Sequence, residues 1–303
     1  MANFEPAVRK RVKLRMAIAG PAGSGKTYSA LQIASGLGGK IGFIDTEHNS
    51  AHVYAEQFDY EVALLEEPYD AAKYIQYIKE AQDKYDVLIV DSLSHSWTGP
   101  GGILSEVTRY AEQSKSGNTF AAWVKPSAKH EDLKAAILGC HCHLICTLRS
   151  KISYAQTTGE DGRTRIQTLG MQPIQRTGIE YEFMVYFMLT DEHYANPVKD
   201  VTQVFTEPFI PGEDTGLKLL EWLEGGEPMP EPERLSLDQL KEALGKLGKV
   251  AEITKWMQEI KTSADQLPEE EKKELRELIK ARKQEIINPK GKEEKENGKE
   301  DAV

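Results

Sequence analysis

The eight residues from Gly20 to Thr27 constrain the fold more than any other stretch of the chain. They read Gly-Pro-Ala-Gly-Ser-Gly-Lys-Thr, which fits the P-loop pattern G-x-x-x-x-G-K-[ST]. An apolar run over 14–19 predicts a buried strand before them, and apolar residues at helical spacing over 28–37 predict a helix after them. A glycine-rich turn in this context points its N–H groups at phosphates, so the sequence predicts a nucleotide site rather than a chance turn.

Two residues of this loop have defined roles in phosphate chemistry. The pattern places Lys26 at the β- and γ-phosphates and Thr27 at Mg²⁺, so the expected cofactors are ATP and Mg²⁺. Tyr28 follows in the first turn of the predicted helix and completes the set. The predicted nucleotide contacts are Gly20, Pro21, Ala22, Gly23, Ser24, Gly25, Lys26, Thr27 and Tyr28.

Two later strands end in carboxylates. Residues 85–92 read Tyr-Asp-Val-Leu-Ile-Val-Asp-Ser, a buried strand ending in Asp91, which is the Walker B pattern and predicts a second Mg²⁺ contact. Residues 41–44 predict another strand, followed by Asp-Thr-Glu-His. Glu47 is the candidate that orients or activates the attacking water. The alternative is a surface glutamate that caps the next helix, and we assign His48 a structural role.

Strand and helix patterns alternate over most of the chain, which predicts an α/β fold with a mainly parallel sheet and helices on both faces. Residues 183–189 and 201–205 predict an antiparallel pair that flanks a turn at Asn196-Pro197. The polar residues 153–178 predict a long loop, and a loop of this length inside a compact domain is usually functional or disordered.

Composition divides the 303 residues into segments of different character. The leader is basic, and we expect it to be frayed and solvated; the alternatives are an arm that contacts phosphate or one that docks on a neighbouring subunit. After the core come a Gly- and Pro-rich linker, a small helical module and a Lys- and Glu-rich tail that we expect to be disordered. The predicted boundaries are 1–13 for the leader, 14–224 for the core, 225–234 for the linker, 235–287 for the module and 288–303 for the tail.

The whole-chain charge and the cysteines exclude several classes of protein. The net charge is −10, so any contact with nucleic acid must come from local basic segments. No apolar run is long enough for a membrane span, so we expect no membrane partner. Cys140, Cys142 and Cys146 lie in one short segment, which favours a reducing cytoplasm over a disulfide framework. Alternation along a strand would separate the first two from His141 and His143, so we interpret the thiols as buried core residues and not as zinc ligands.

The chain resembles the RecA recombinase core over Gly20–Thr27, Phe43–His48, Val87–Ser92 and Leu144–Ile152. The resemblance implies a RecA-like P-loop NTPase core in which Glu47 activates water. It also implies an ATP site completed between subunits of a homo-oligomer. Arg149, Lys151 or Arg176 is then the candidate cation for the γ-phosphate, and the sequence does not choose among them. Thr147 stands where RecA has a sensing glutamine.

RecA binds DNA through the loop that follows this strand. The counterpart here is about 150–178, where Tyr154 offers a ring that stacks on a base. The stretch from about Trp97 to Asn118 corresponds to the other DNA-facing loop. The candidate contacts to single-stranded DNA are Lys151, Tyr154, Arg163, Arg165 and Arg176.

The chain is also similar to phage-encoded RecA-like ATPases, a group that includes minimal recombinases and single-strand-annealing proteins. This similarity rests on Phe4–Arg15, Gly20–Tyr28 and Thr147–Lys151 and covers roughly 4–223. It implies a DNA-dependent ATPase in the host cytoplasm. Two other classes stay open: a helicase-loader-like ATPase whose C-terminal helices bind a protein partner, and a small-molecule kinase, which would not need Glu47.

Overall fold

The computed structural model describes residues 4, 6–47, 50–113, 120–158, 164–227, 236–260, 264 and 267–287. His48, Arg163, most of the predicted linker and the predicted tail therefore lie outside the described residues. The chain divides into two compact units, Met1–Pro228 and Met229–Val303.

The first unit is built on a mainly parallel sheet, which confirms the predicted α/β fold. Its strands run in the order β3-β2-β4-β5-β1-β7-β8, and β6 pairs with β5. Only the pairs β5–β6 and β7–β8 are antiparallel among the described strands. The strands are β1 Arg15–Gly20, β2 Ile41–Asp45, β3 Glu61–Leu64, β4 Val87–Asp91, β5 His143–Thr158, β6 Thr164–Pro173, β7 Val185–Leu189 and β8 Ala195–Asp200.

Helices cover both faces of this sheet because successive strand residues point to opposite sides. One face packs on α2 and α5 through residues such as Tyr74 and Leu133, and the other packs on α1 and α6 through residues such as Leu31 and Leu219. The helices of this unit are α1 Lys26–Leu37, α2 Ala71–Ala81, α3 His95–Thr98, α4 Ile103–Gln113, α5 Val124–Leu138 and α6 Glu213–Glu224.

The predicted long loop over 153–178 is wrong for most of its length. Strand β5 pairs with β1 as far as Arg149 and then continues to Thr158, where β6 pairs back along it from Thr164 to Pro173. At about 3.3 Å per residue, Ser150–Thr158 makes an arm of roughly 30 Å. The polar composition is typical of a loop. Two strands can nevertheless pair here, because the backbone hydrogen bonds between them need no apolar side chains. We call Ser150–Thr158 together with Thr164–Pro173 the hairpin.

The predicted strand over 201–205 is also wrong, because the partner of β7 is β8 and ends at Asp200. Asn196 and Pro197 lie inside β8 and not in a turn. The Asp200 carboxylate accepts hydrogen bonds from the backbone N–H groups of Thr202 (2.8 Å) and Phe205 (2.9 Å). An aspartate that binds the following backbone in this way closes a turn, so the strand cannot continue.

The basic leader is not frayed where it meets α6. The guanidinium of Arg9 lies 4.3 Å from the ring centroid of Trp222, a cation–π contact. The backbone of Glu227 pairs with Arg9 and Arg11, with N–O distances of 2.8 Å in both directions. These residues are therefore attached to the end of the core, while Phe4 is 93% exposed.

The second unit is helical. It contains α7 Leu237–Lys246, α8 Val250–Glu259 and α9 Glu269–Ile287, with Ser236 and Gln239 forming the capping box at the start of α7. Buried residues of all three helices, among them Leu240, Ile253 and Leu275, form its core. Across both units, no described helix combines the length and the apolar character needed to span a membrane.

Candidate active site

The P-loop joins β1 to α1 as the sequence predicts. Gly23 and Gly25 have φ angles of 79° and 84°, which only glycine adopts without strain. A Cβ on Gly20 would lie 2.4 Å from the Ser24 hydroxyl oxygen, so this position also requires glycine. The loop therefore curls tightly and exposes the first turn of α1, whose N-terminus favours phosphate.

Lys26 lies at the start of α1 and bends back over the loop. Its Nζ donates a hydrogen bond to the carbonyl oxygen of Pro21 at 2.8 Å. Burial lowers the pKa of this amine, and the nearby carboxylates Asp91 and Glu47 oppose the shift. The amine is thus held within the loop, next to the surface where phosphates would bind.

Asp91 is the central carboxylate of the site. It is 2% exposed at the carboxyl end of β4, and two threonines donate hydrogen bonds to it. Thr27 Oγ1 donates to Oδ2 at 2.5 Å, and Thr147 Oγ1 donates to Oδ1. Burial raises the pKa of Asp91, although both hydrogen bonds favour the charged form. A nearby cation would stabilise the carboxylate further.

These oxygen donors fit Mg²⁺, which prefers carboxylate and hydroxyl oxygen ligands together with phosphates. Thr27 and Asp91 would hold the ion, as the sequence predicts, and it would neutralise charge on the β- and γ-phosphates. Among the described residues no group of three or more His, Cys, Asp or Glu side chains forms a separate metal site. The three cysteines are buried and free.

Glu47 lies two residues beyond the end of β2, which is the strand next to β4 in the sheet. The carboxylate of Asp45 fixes this segment by accepting hydrogen bonds from the backbone N–H groups of Glu47 (2.7 Å) and Ala51 (3.2 Å). The side chain of Glu47 is 23% exposed. It therefore lies at the same sheet edge as Asp91, in a position open to solvent on one side.

Arg149 binds Glu47 within the same chain. Its Nε donates to Oε1 at 2.7 Å, and its Nη2 donates to Oε2. Burial alone would raise the pKa of Glu47, but the hydrogen bonds and charge of Arg149 outweigh burial and hold the pKa below its usual value. The paired glutamate is a weak base, because its charged form is stabilised.

A second group of residues surrounds this pair. Thr46 Oγ1 lies 2.8 Å from His95 Nδ1 and also accepts a hydrogen bond from the backbone N–H of Ser92. His95 Nε2 lies 4.0 Å from Glu47 Oε1, and its ring stacks on Tyr69 at a centroid distance of 4.8 Å. The segment after β4 is thus tied to the segment after β2.

A pocket of about 610 Å³ adjoins the P-loop on the α1 side. Its lining includes Gly25 and Tyr28 from the loop and helix, Tyr54 from the short 3-10 helix Ser50–Tyr54, and His193 and Pro211. The rings of Tyr28 and Tyr54 lie 5.5 Å apart. The size, the aromatic walls and the position beside the phosphate loop are suited to a nucleoside.

The comparison with protein-family models agrees with this geometry. Residues 12–202 match a family described as an AAA domain (AAA_24). The chain belongs to this AAA domain family. The match spans more than half of the 303 residues and includes Lys26, Glu47 and Asp91. Because the family has P-loop ATPase character, membership supports nucleotide binding and hydrolysis by this AAA domain. A search of curated proteins found no match.

The structure places the predicted DNA contacts of the AAA domain in different settings. Lys151 and Tyr154 are exposed on the hairpin, Tyr154 by 60%. Arg165 lies on β6, and Arg163 lies outside the described residues. Arg176 follows the hairpin, and its Nη1 lies 3.5 Å from Glu131 on α5. Their role in DNA binding stays a prediction.

Sequence reasoning missed several residues of this site. Tyr54, His95 and His193 lie near the predicted residues in space but belong to no motif, and Thr46 lies in the Phe43–His48 segment without a predicted role. The resemblance gives Thr147 only as a replacement for a glutamine, whereas its hydroxyl donates a hydrogen bond to Asp91. Thr147 lies four residues after the start of the buried strand β5, and the odd-numbered residues of that strand share one face. Because β5 lies beside β4, this face can bring Thr147 to Asp91.

Proposed function

We propose that this AAA domain is a Mg²⁺-dependent, RecA-like ATPase that acts on single-stranded DNA in phage-type recombination or annealing. One observation carries the proposal: β5 connects the hydrolysis residues to the hairpin. Thr147 donates to Asp91, Arg149 binds Glu47, and the same strand then continues as the hairpin from Ser150.

The site residues divide the work of hydrolysis. The P-loop amides and Lys26 bind the phosphates, while the pocket beside Tyr28 and Tyr54 takes the nucleoside. Thr27 and Asp91 would hold Mg²⁺, which would neutralise charge on the phosphates. Glu47 orients the attacking water and accepts its proton. Because Arg149 lowers the pKa of Glu47, Glu47 accepts a proton better when this pair opens.

DNA bound to the hairpin can act on the Glu47–Arg149 pair. Lys151 and Tyr154 are exposed two and five residues after Arg149 in the chain, and they offer a phosphate contact and a stacking ring. A strand of DNA that displaces the base of the hairpin also displaces Arg149. We therefore expect DNA to accelerate turnover by releasing Glu47.

A direct test measures ATP hydrolysis by the full chain with and without an oligo(dT) strand, across a range of salt concentrations. We expect stimulation that falls steeply with salt, because an acidic protein depends on a few local cations. The double change Arg163→Ala with Arg165→Ala should remove stimulation and leave ATP binding intact. Lys79→Ala, a change at an exposed lysine on α2, is the control and should have no effect. A wild type that neither binds nor responds to DNA would contradict the proposal.

We further propose that ATP lies between subunits of a homo-oligomer. One of Arg149, Lys151 and Arg176 then serves the γ-phosphate of the neighbouring subunit, where an arginine finger can contribute about 10³–10⁵ in rate. Mixing Lys26→Ala subunits with subunits that lack the acting cation should restore part of the activity. Absence of rescue at every mixing ratio, together with a monomer in sedimentation, would argue against shared sites.

The second candidate is an ATPase that positions a protein partner, in the manner of a helicase loader. The helical unit with its own core, α7 to α9, favours this alternative. On this alternative, single-stranded DNA does not change the rate of ATP hydrolysis. A truncated chain that ends before α7 keeps the full basal activity. A kinase would instead respond to a small acceptor molecule.

A further inference from the structure

A second cleft, of about 790 Å³, adjoins the P-loop at Pro21, whereas the nucleoside pocket adjoins it at Gly23 and Gly25. Its lining comes from the strands β7 and β8 with the turn between them, the base of the hairpin, Glu180, and Pro21 of the P-loop. Its volume falls within the range of pockets that hold small ligands, about 300–1,000 Å³. The cleft shares no lining residue with the nucleoside pocket, and of the described residues assigned to ATP phosphates it contains Pro21 and Lys151.

Two residues of the lining, Ser150 and Tyr186, carry buried hydroxyl groups that have no hydrogen-bond partner among the described residues. Tyr186 is 2% exposed, and its phenol oxygen has no hydrogen-bond partner among the described residues. The hydroxyl oxygen of Ser150 is buried and also without a partner in that part of the chain. Burial, together with the nearby carboxylate of Glu180, raises the pKa of Tyr186, so the phenol stays a donor. Buried polar groups are normally satisfied, and these two lack a partner.

The rest of the lining suits a flat heterocycle. Ile152, Met171, Met188 and Val198 provide apolar surface, and the side chains of Lys151, Glu180 and Asn196 add polar groups. Glu180 and Asp191 give the cleft two carboxylates against one lysine, which disfavours a free anion such as phosphate. A nucleobase has apolar faces and an edge of donors and acceptors, and it matches this combination.

We propose that the cleft receives one unstacked base of the single-stranded DNA that the hairpin binds. This inference rests on the proposed function, and the cleft's position supports it, because the base of the hairpin forms part of the lining. The carbonyl oxygen of Pro21 accepts hydrogen bonds from Lys26 Nζ (2.8 Å) and Ser24 Oγ (2.9 Å). A base that contacts Pro21 therefore also contacts the segment that holds the phosphate-binding lysine.

A pair of matched substitutions tests the cleft. Val198 lies on β8, lines the cleft and is 58% exposed, whereas Val201 follows β8, is 53% exposed and is not among the lining residues. Val198→Trp should fill the cleft and weaken binding of fluorescent oligo(dT) by about tenfold, the value of one stacked base. Val201→Trp should bind like the wild type. Tyr186→Phe keeps the aromatic ring and removes the hydroxyl donor. Its affinity for the same oligo(dT) gives a second comparison with the wild type if Val198→Trp does not fold.

A photocrosslinking measurement locates the base directly. Oligo(dT) with one 5-iodouracil should crosslink to a peptide that contains Tyr186 or Met188 in the wild type and in Val201→Trp, and not in Val198→Trp. If DNA binds but all variants bind equally and crosslinks fall elsewhere, the inference is wrong while the proposed function stands. If Val198→Trp changes only self-association, the cleft is a subunit interface and the inference is again wrong. If the wild type binds no single-stranded DNA, both proposals fail.

Discussion

Replacing Glu47 by Gln tests whether this carboxylate activates water. The amide keeps the size of the side chain but cannot accept a proton, so we expect turnover to fall by about 10²–10⁴, the usual contribution of a general base. This corresponds to about 3–5 kcal/mol in the activation barrier. Lys26, Thr27 and Asp91 are untouched, so the affinity for ATP with Mg²⁺ should stay unchanged.

The same change has a calculable effect on stability. Glu47→Gln removes the ion pair with Arg149, whose side chain is 47% exposed, while that of Glu47 is 23% exposed. Screening by solvent limits such a pair to about 1 kcal/mol. For a domain of this size, that loss lowers the melting temperature by about 2–4 °C.

The stability difference should depend on pH in a defined direction. The folded state holds the pKa of Glu47 below its ordinary value of 4.5. The pair therefore stabilises the protein above pH 4.5, and this contribution is lost as pH falls through the lower folded pKa. Wild type and Glu47→Gln should differ at pH 7 and converge in strongly acidic buffer.

Steady-state hydrolysis, nucleotide binding and thermal melting measure these three effects. The matched control is Glu66→Gln, because Glu66 is an exposed carboxylate just beyond the neighbouring strand β3. It should change neither turnover nor melting temperature. A Glu47→Gln variant that hydrolyses ATP at the wild-type rate would refute the assignment of Glu47 as the base, whatever its stability.

Two further substitutions probe the phosphate and metal residues. Lys26→Ala should abolish ATP binding, as measured by titration calorimetry, and an unchanged affinity would contradict the assignment. Asp91→Asn should abolish Mg²⁺-dependent turnover yet stabilise the nucleotide-free protein by about 0.5–2 kcal/mol, because it removes a buried charge. Burial raises the pKa of Asp91, so the wild type should lose stability as pH rises through that pKa. Chemical denaturation should show no such loss for Asp91→Asn.

The sequence predicts the P-loop and its neighbours well because their signals are local. The glycines of 20–25, the apolar run of β1 and the spacing of α1 all act within 25 residues, and the structure has each element. The buried strand that ends in Asp91 is equally local. The role of Asp91 as the acceptor of two threonine hydrogen bonds is not a local signal, because Thr147 lies 56 residues away in the chain.

The hairpin and the Glu47–Arg149 pair could not be predicted in the same way. The pair joins residues 102 apart in the chain, and only the order of β2, β4 and β5 in the sheet brings them together. Polar residues predominate on both strands of the hairpin, and the alternation of Ile152 and Tyr154 with polar neighbours is too short to predict a strand. The segment 201–205 is the opposite case, because its Val, Thr and Phe residues predict a strand that the structure lacks. The carboxylate of Asp200 binds the backbone there and closes a turn.

The geometry of β5 also indicates which kinetic parameter DNA should change. Thr147, Arg149 and Lys151 are two residues apart and share one face of the strand. A displacement of the hairpin thus acts on Asp91 through Thr147 and on Glu47 through Arg149. Lys26 donates its hydrogen bond to Pro21 of the P-loop and not to a β5 residue, and no described β5 residue is among those that line the nucleoside pocket. DNA bound to the hairpin should therefore raise turnover by changing the carboxylates, with a much smaller effect on the affinity for ATP.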